Sequence, residues 1–285
     1  PSIVEKFART DRGEKTFQSH CLSDENTFND MKTLVKYVLL DLLRNRMVLI
    51  YTALLLILSL STFNLEDNAA KGVLTLLNFV LIFVPLFSIL FSTIYIYNAA
   101  EFIELLVAQP IPRKKIWLSL YAGLALALSM AYGVGCGLVV ILYTWNVIGF
   151  LLGGMGLLLS FIFIGLALLA AVNTRDKARG IGKAILLWFY FALLFDGIVL
   201  FLLFQFMDYP LETPILIASM LNPVDLARIM ILLKLDESAL MGATSALFKE
   251  FFGTHWGIAW VFGALLIWAL VPLGLSLRSF IRKDL

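Results

Sequence analysis

Six apolar runs dominate the pattern along the chain, at residues 47–63, 73–97, 117–144, 148–172, 185–207 and 258–277. Each comes close to the roughly 17–25 residues a helix needs to cross a bilayer. The third is long enough to tilt. The pattern therefore predicts an all-α membrane protein with six transmembrane helices. Only Trp145, Asn146 and Val147 separate the third run from the fourth, which predicts a tight hairpin. Just before the first run, "MKTLVKYVLLDLLRNR" (31–46) places Leu34, Val35, Val38, Leu39, Leu42 and Leu43 at spacings of three and four, with Lys32, Lys36, Asp41 and Arg44 between them. That spacing predicts an elbow helix lying in the membrane interface and leading into the first span.

Two stretches break the alternation of spans and short loops. Residues 1–30 hold four Lys/Arg and six Asp/Glu without clear periodicity, and are expected to form a polar, flexible tail ahead of a transmembrane domain over 31–285. Residues 208–257 are long and mixed in character. Within them "LNPVDLARIMILLKL" opens like a helix, with Asn222 as N-cap, Pro223 in the first position and Asp225 in the first turn. It is apolar nearly all round and too short to span, so a re-entrant or interfacial outer segment is expected before the last span. "ALMGATSALFKEFF" (239–252) follows as a second amphipathic piece.

Composition supports the membrane class: 61% of residues are hydrophobic, 15% are charged, and the mean hydropathy is +0.92. The net charge of +2 says little, but its distribution orients the chain. Four segments on one side (31–46, 98–116, 173–184 and 278–285) hold fourteen Lys/Arg, and the three alternate loops hold four. By the positive-inside rule both termini of this multi-pass chain are expected to be cytoplasmic. The two cysteines, Cys21 and Cys136, exclude a disulfide framework.

Candidate chemistry is sparse. "GIGKA" (180–184) carries Gly-Lys, but Lys177 stands where a phosphate loop needs Gly and Ala184 where it needs Ser or Thr. The chain has no nucleotide site of its own, so any ATP and Mg would sit on another subunit, and no cofactor is expected on this one. His20 and His255 fall on opposite sides of the membrane, which leaves no hydrolytic constellation. Cys136, Met130, Met155 and Met207 are soft ligands of the kind Cu(I) takes, yet single methionines in apolar helices are ordinary gap-fillers. No metal site is assigned, and nothing points to nucleic acid.

Asp196 stands out because "LLFDGIVLFLL" (193–203) is otherwise apolar or Gly. Counted from residue 185 it lies roughly 17 Å into its span, near mid-bilayer. An Asp there costs about 2.5–3.5 kcal/mol, so lipid exposure is disfavoured. No Lys or Arg lies deep in another span, and a salt bridge is not expected. Asn78, Ser129, Ser160, Tyr190, a protonated carboxyl or a hydrated cleft at a dimer seam remain as ways to satisfy it.

The loop "AEFIELLVAQPIPRKKIW" (100–117) predicts a short acidic amphipathic helix, broken at Pro110, stiffened at Pro112 and anchored by Arg113, Lys114 and Lys115 at the headgroups. Here the chain resembles a known family. An elbow helix ending "LRNR", a first cytoplasmic loop carrying Glu101, Leu105, Leu106, Pro110, Arg113 and Ile116, six spans, a long outer segment and a basic end, "FIRKDL", resemble the membrane subunit of type-2 ABC exporters over residues 31–285. The Gly-Thr pair usual before the Leu-Leu of that loop is missing, and Ser119-Leu120 replaces a usual Gly-Lys. "LLFDGIVLFLL" and the Asn222, Pro223, Asp225 motif with Arg228 are similar to the branch that serves nitrous oxide reductase maturation.

The resemblance implies a homodimer with two cytoplasmic ABC ATPase subunits and a periplasmic β-helix protein, in a complex that supports copper-site (Cu/S) assembly. It implies ATPase coupling at Glu101, Glu104, Leu105, Pro110 and Arg113, and outer contacts at Asn222, Pro223, Asp225 and Arg228. Two alternatives remain: an exporter of a lipid, drug or peptide on the same fold, and a membrane scaffold that moves nothing.

Overall fold

The computed structural model describes residues 32–66, 69–109, 111–206, 218–234 and 255–282. The expected N-terminal tail, the piece at 239–252, His20, Cys21, Pro110 and Met207 lie outside the described residues.

Every regular element among the described residues is helical, and six helices are long and apolar enough to cross a membrane. The first span is Arg46–Leu65, capped by Asn45, whose side chain accepts from the Met47 amide at 2.9 Å. The second is Ala69–Asn98, with Pro85 inside it. The third runs Arg113–Tyr132, passes through a π-helical turn at Gly133–Gly137 and continues as Leu138–Tyr143. The fourth, Val147–Val172, starts on an Asn146 cap. The fifth runs Lys177–Phe189, a π-helical turn Tyr190–Leu194, then Phe195–Gln205. The sixth is His255–Arg282.

The fourth span is the centre of the bundle. It packs on the second, third, fifth and sixth spans, and Leu159, Ile162, Phe163, Ile164 and Leu168 are wholly buried. Small residues let neighbours approach it closely, as is common where helices pack in membranes. A Cβ on Gly156 would meet the ring and hydroxyl of Tyr132, which is itself buried and donates to the Leu152 carbonyl at 3.0 Å. Gly156→Ala therefore overpacks a closed site. The expected cost is about 1–3 kcal/mol, read as a lower melting point of the purified chain. A Tyr132→Leu background should remove most of that penalty; an Ala variant that melts like the parent would contradict the packing described.

The π turn of the third span has the same origin. At Gly135 the first span comes close enough that a Cβ would meet Leu55 and the Thr52 carbonyl. Ser59 Oγ donates to the Gly135 carbonyl at 2.9 Å, which supplies a partner where the helical ladder is displaced.

Two further elements complete the fold. The elbow helix, residues 32–44, buries Val38 and Leu42. Val38 comes against Gly123 of the third span, and Tyr37 stacks on Phe102 at 5.4 Å. A short helix, Pro223–Lys234, packs on the second, fourth and sixth spans and on the π turn of the fifth. Val224, Leu226, Ala227, Met230 and Ile231 are buried there, as expected of a segment apolar nearly all round.

Candidate coupling face and intramembrane charge cluster

The short helix enters the bundle at mid-height. Asn222 caps it by accepting from the Val224 amide at 3.0 Å, and its Nδ2 donates to the Phe191 carbonyl at 2.9 Å. Phe191 lies 14 residues from either end of the fifth helix. Trp268, midway along the sixth span, donates to the Met220 carbonyl at 3.2 Å and packs edge-on against Phe191 at 5.3 Å. Three segments that are distant in sequence thus meet halfway through the bundle. The described part of the loop before the last span, residues 218–234, reaches mid-bundle, and a buried Asn can stand there because both ends of its amide are used.

From there the short helix runs beside the outer half of the fifth span. Six residues after Asn222 comes Arg228; five after Phe191 comes Asp196. They meet at 2.6 Å, Nη1 to Oδ2. The same Nη1 lies 3.2 Å from Asp225 Oδ1, one turn back on the short helix. Side-chain exposures of 31% for Arg228, 29% for Asp196 and 14% for Asp225 make this a partly covered cluster in which two carboxylates share one guanidinium. Burial, then the hydrogen bond and charge of Asp196, push the Asp225 carboxyl up to about 7, against the pull of Arg228 and Asn222.

This corrects the expectation for Asp196. A salt bridge is present. Arg228 belongs to no span, but the path of the short helix carries it into the bundle. The fifth helix also starts at Lys177, before its apolar run, so Asp196 lies nine residues, about 14 Å, from the Gln205 end rather than at the midpoint. Asn78 and Ser160 bond instead to carbonyls of their own helices, Leu74 and Gly156. Asn222, Asp225 and Arg228 share one network with Asp196, and Pro223 occupies the first helical position beside them.

At the opposite, basic end, the loop helix is Ala100–Val107. Ile103 and Leu106 are buried and Phe102 is held by Tyr37. Glu101, Glu104 and Leu105 point away, with Leu105 67% exposed. Leu105 and Leu106 therefore have opposite roles. Pro112 caps the third span, its carbonyl accepting from the amides of Lys115 and Ile116. Arg113 turns toward the sixth span and donates to the Ile281 carbonyl at 3.4 Å, so it does not share the Glu101–Glu104–Leu105 face. A cavity of about 420 Å³ opens beside the loop helix, bounded by Tyr97, Glu104, Trp117, Thr174, Arg175 and Phe280, so Glu104 borders both the cavity and the exposed face.

The segment "NTRDKARGIGK" (173–183) does more than carry orienting charge. Asp176 caps the fifth helix at the Arg179 amide. Tyr97 donates to the Thr174 carbonyl at 3.0 Å, and Lys177 to Asn98 Oδ1 at 2.7 Å. Gly180 is required because a Cβ would meet Tyr97. The Asp at the head of a predicted helix was the available signal.

No family model matches the chain. A curated relative, a probable ABC transporter permease protein NosY of Pseudomonas aeruginosa, is 29% identical over 276 residues, spanning 89% of this chain and 98% of the relative. The chain is most like an ABC transporter permease. Six apolar helices and an all-α membrane architecture fit such a subunit, and the likeness runs nearly the whole length of the relative. An ABC permease works with ATPase subunits and within a lipid bilayer, which gives the exposed face of the loop helix and the buried charge cluster a common setting.

Proposed function

We propose that this chain is the membrane subunit of an ATP-driven transporter that couples hydrolysis on a separate ATPase to a partner on the outer side, in Cu/S-site maturation of nitrous oxide reductase. The observation that carries the reading is the loop helix. Its inner residues, Ile103 and Leu106, are fixed in the bundle, while Glu101, Glu104 and Leu105 are displayed on one face. A rigidly backed, exposed apolar and acidic face at the basic end suits the cytoplasmic ABC ATPase as docking partner. Two copies of the chain, each with an ATPase, form the working unit.

Motion, rather than metal, is what the bundle passes on. Cys136 is wholly buried against Tyr132 and Tyr51 in the π turn of the third span, whereas Met130 on the same helix is half exposed. Six residues apart, they face different surroundings and do not line one path. The outer end offers instead the short helix with Asn222, Pro223, Asp225 and Arg228, next to which an outer β-helix partner would act.

The test is co-expression with the candidate ATPase, the outer partner and the reductase, using the wild-type chain and a Cys136→Ala/Met130→Leu variant. Expected are a stable permease–ATPase complex and unchanged copper content of the reductase in the double variant. Failure to recover any complex would sink the transporter reading. Loss of copper from the reductase while the complex stays intact would sink the motion-only mechanism.

A further inference from the structure

The basic end carries a feature that the transport reading does not use. Where the fourth span ends, Ser279 of the sixth span donates to Asn173 Oδ1 at 3.0 Å. Asn173 lines a groove of about 410 Å³ together with Leu169, Lys183, Leu186 and Leu187. Ser279 lines another of about 410 Å³ together with Leu275, Arg278 and Arg282. Both have the same layering. Polar and cationic groups lie at the level of the Asn173–Ser279 bond, and leucines follow one helical turn deeper, since Leu186 and Leu187 are three and four residues beyond Lys183 and Leu275 is three before Arg278.

The charges are unbalanced. Lys183 donates to the Thr174 hydroxyl, a neutral group, at 2.9 Å. Among the described residues no carboxylate pairs with Lys183, Arg278 or Arg282. The acid in the adjoining loop, Asp176, is engaged at the helix cap. Leu186 and Leu275 are at least half exposed, so the deeper wall is open to hydrocarbon.

We propose that these paired grooves are a binding site for an anionic glycerophospholipid, its phosphate between Lys183, Arg278 and Arg282 and its acyl chains along Leu187 and Leu275. A cationic rim above an apolar wall that continues into the bilayer matches such a molecule from end to end. A free phosphate would leave the leucine wall unused. A docked ATPase would have no group to place at hydrocarbon depth. The inference rests on the basic face being turned to an anionic leaflet and is independent of what the transporter moves.

The experiment uses the full chain purified in detergent and titrated with phosphatidylglycerol, phosphatidylcholine or soluble glycerol phosphate. Melting temperature and lipid retained in native mass spectra are the readouts. Phosphatidylglycerol should stabilise the chain and remain bound; the other two should not. Each cation removed should weaken that binding about fivefold, so Lys183→Gln/Arg278→Gln/Arg282→Gln loses about a hundredfold. Lys114→Gln/Lys115→Gln/Arg179→Gln, which removes three headgroup-level cations that line neither groove, should cost no more than about twofold. The single Arg278→Gln, at an exposed position, provides the fivefold step should the triple variant fold poorly. Equal loss in both triple variants would reduce the site to a diffuse positive field and overturn the proposal. Equal binding of phosphatidylcholine, or displacement by glycerol phosphate, would overturn it too.

Discussion

Replacing Arg228 with Met is expected to destabilise the chain by about 2 kcal/mol at high pH and by distinctly less below neutrality. Removing one partner of a buried ion pair costs about 3–5 kcal/mol. The lower figure applies because Arg228 and Asp196 keep roughly a third of their side-chain exposure. The pH dependence follows from Asp225. Its folded carboxyl is raised to about 7 from an ordinary value of 3.8, so folding favours the protonated form. In the native chain that contribution is fully present below the ordinary value and is lost as pH rises through about 7. Without the guanidinium, which pulls the value down, Asp225 holds its proton to still higher pH. The proton then partly replaces Arg228 at low pH and cannot do so at high pH. Thermal unfolding of the purified variant across this range is the measurement. A penalty that does not change with pH would show that the two carboxylates do not share the cation as described.

A companion variant separates packing from function. Asp196→Asn/Asp225→Asn/Arg228→Met removes all the charge while keeping similar volume, and replacing a whole buried ion network in this way is often close to neutral for stability. If the cluster only packs, the triple variant should fold and still couple ATP hydrolysis to the outer partner. If the cluster senses opening between the short helix and the fifth span, the triple variant should fold and lose coupling. The geometry favours sensing. The cluster ties the short helix to the half of the fifth span beyond its π turn, and the Asn222–Phe191 bond ties it to the π turn itself; π turns recur where helices bend or work.

What was legible in the sequence followed from the bilayer's demands. Runs of nearly twenty apolar residues have few alternatives to spanning helices, and six such helices are present. The elbow and loop helices were legible because their apolar spacing has one face. Asn222 was legible as a cap because Asn-Pro-x-Asp supplies cap, first position and dipole partner in order. The partner of Asp196 was not legible. It depends on where a chain reversal puts Arg228, and no local pattern records depth. The π turns were also hidden. "GVGCG" contains small residues, but only the approach of Leu55 and Thr52 to Gly135 explains the distortion there. The reach of Arg113 to the sixth span was hidden for a related reason: adjacency to the loop helix in sequence does not show where its side chain goes.

The division between Leu105 and Leu106 gives the second large effect. Leu105→Ala should weaken the complex with the ATPase about tenfold, or about 1.4 kcal/mol, while leaving the melting point of the isolated chain unchanged. An exposed leucine contributes little to the fold; under the proposed docking, Leu105 would be the apolar centre of a face flanked by Glu101 and Glu104 and its loss would be felt in binding. Leu106→Ala should do the reverse at first. It empties a buried position, costs the isolated chain about 2–3 kcal/mol and loosens the loop helix. Charge reversal at Glu101 and Glu104 together should slow assembly with the ATPase and make the remaining affinity more sensitive to salt, as rim charges do. Arg113→Gln should leave docking intact and loosen the end of the sixth span, because its side chain donates to the Ile281 carbonyl there. Affinity measured by surface binding, together with melting of each variant alone, distinguishes these cases. If Leu105→Ala bound the ATPase as the parent does while Arg113→Gln lost the complex, the docking face would lie on the other side of the loop, and the displayed Glu101–Glu104–Leu105 surface would belong to the lipid headgroups instead.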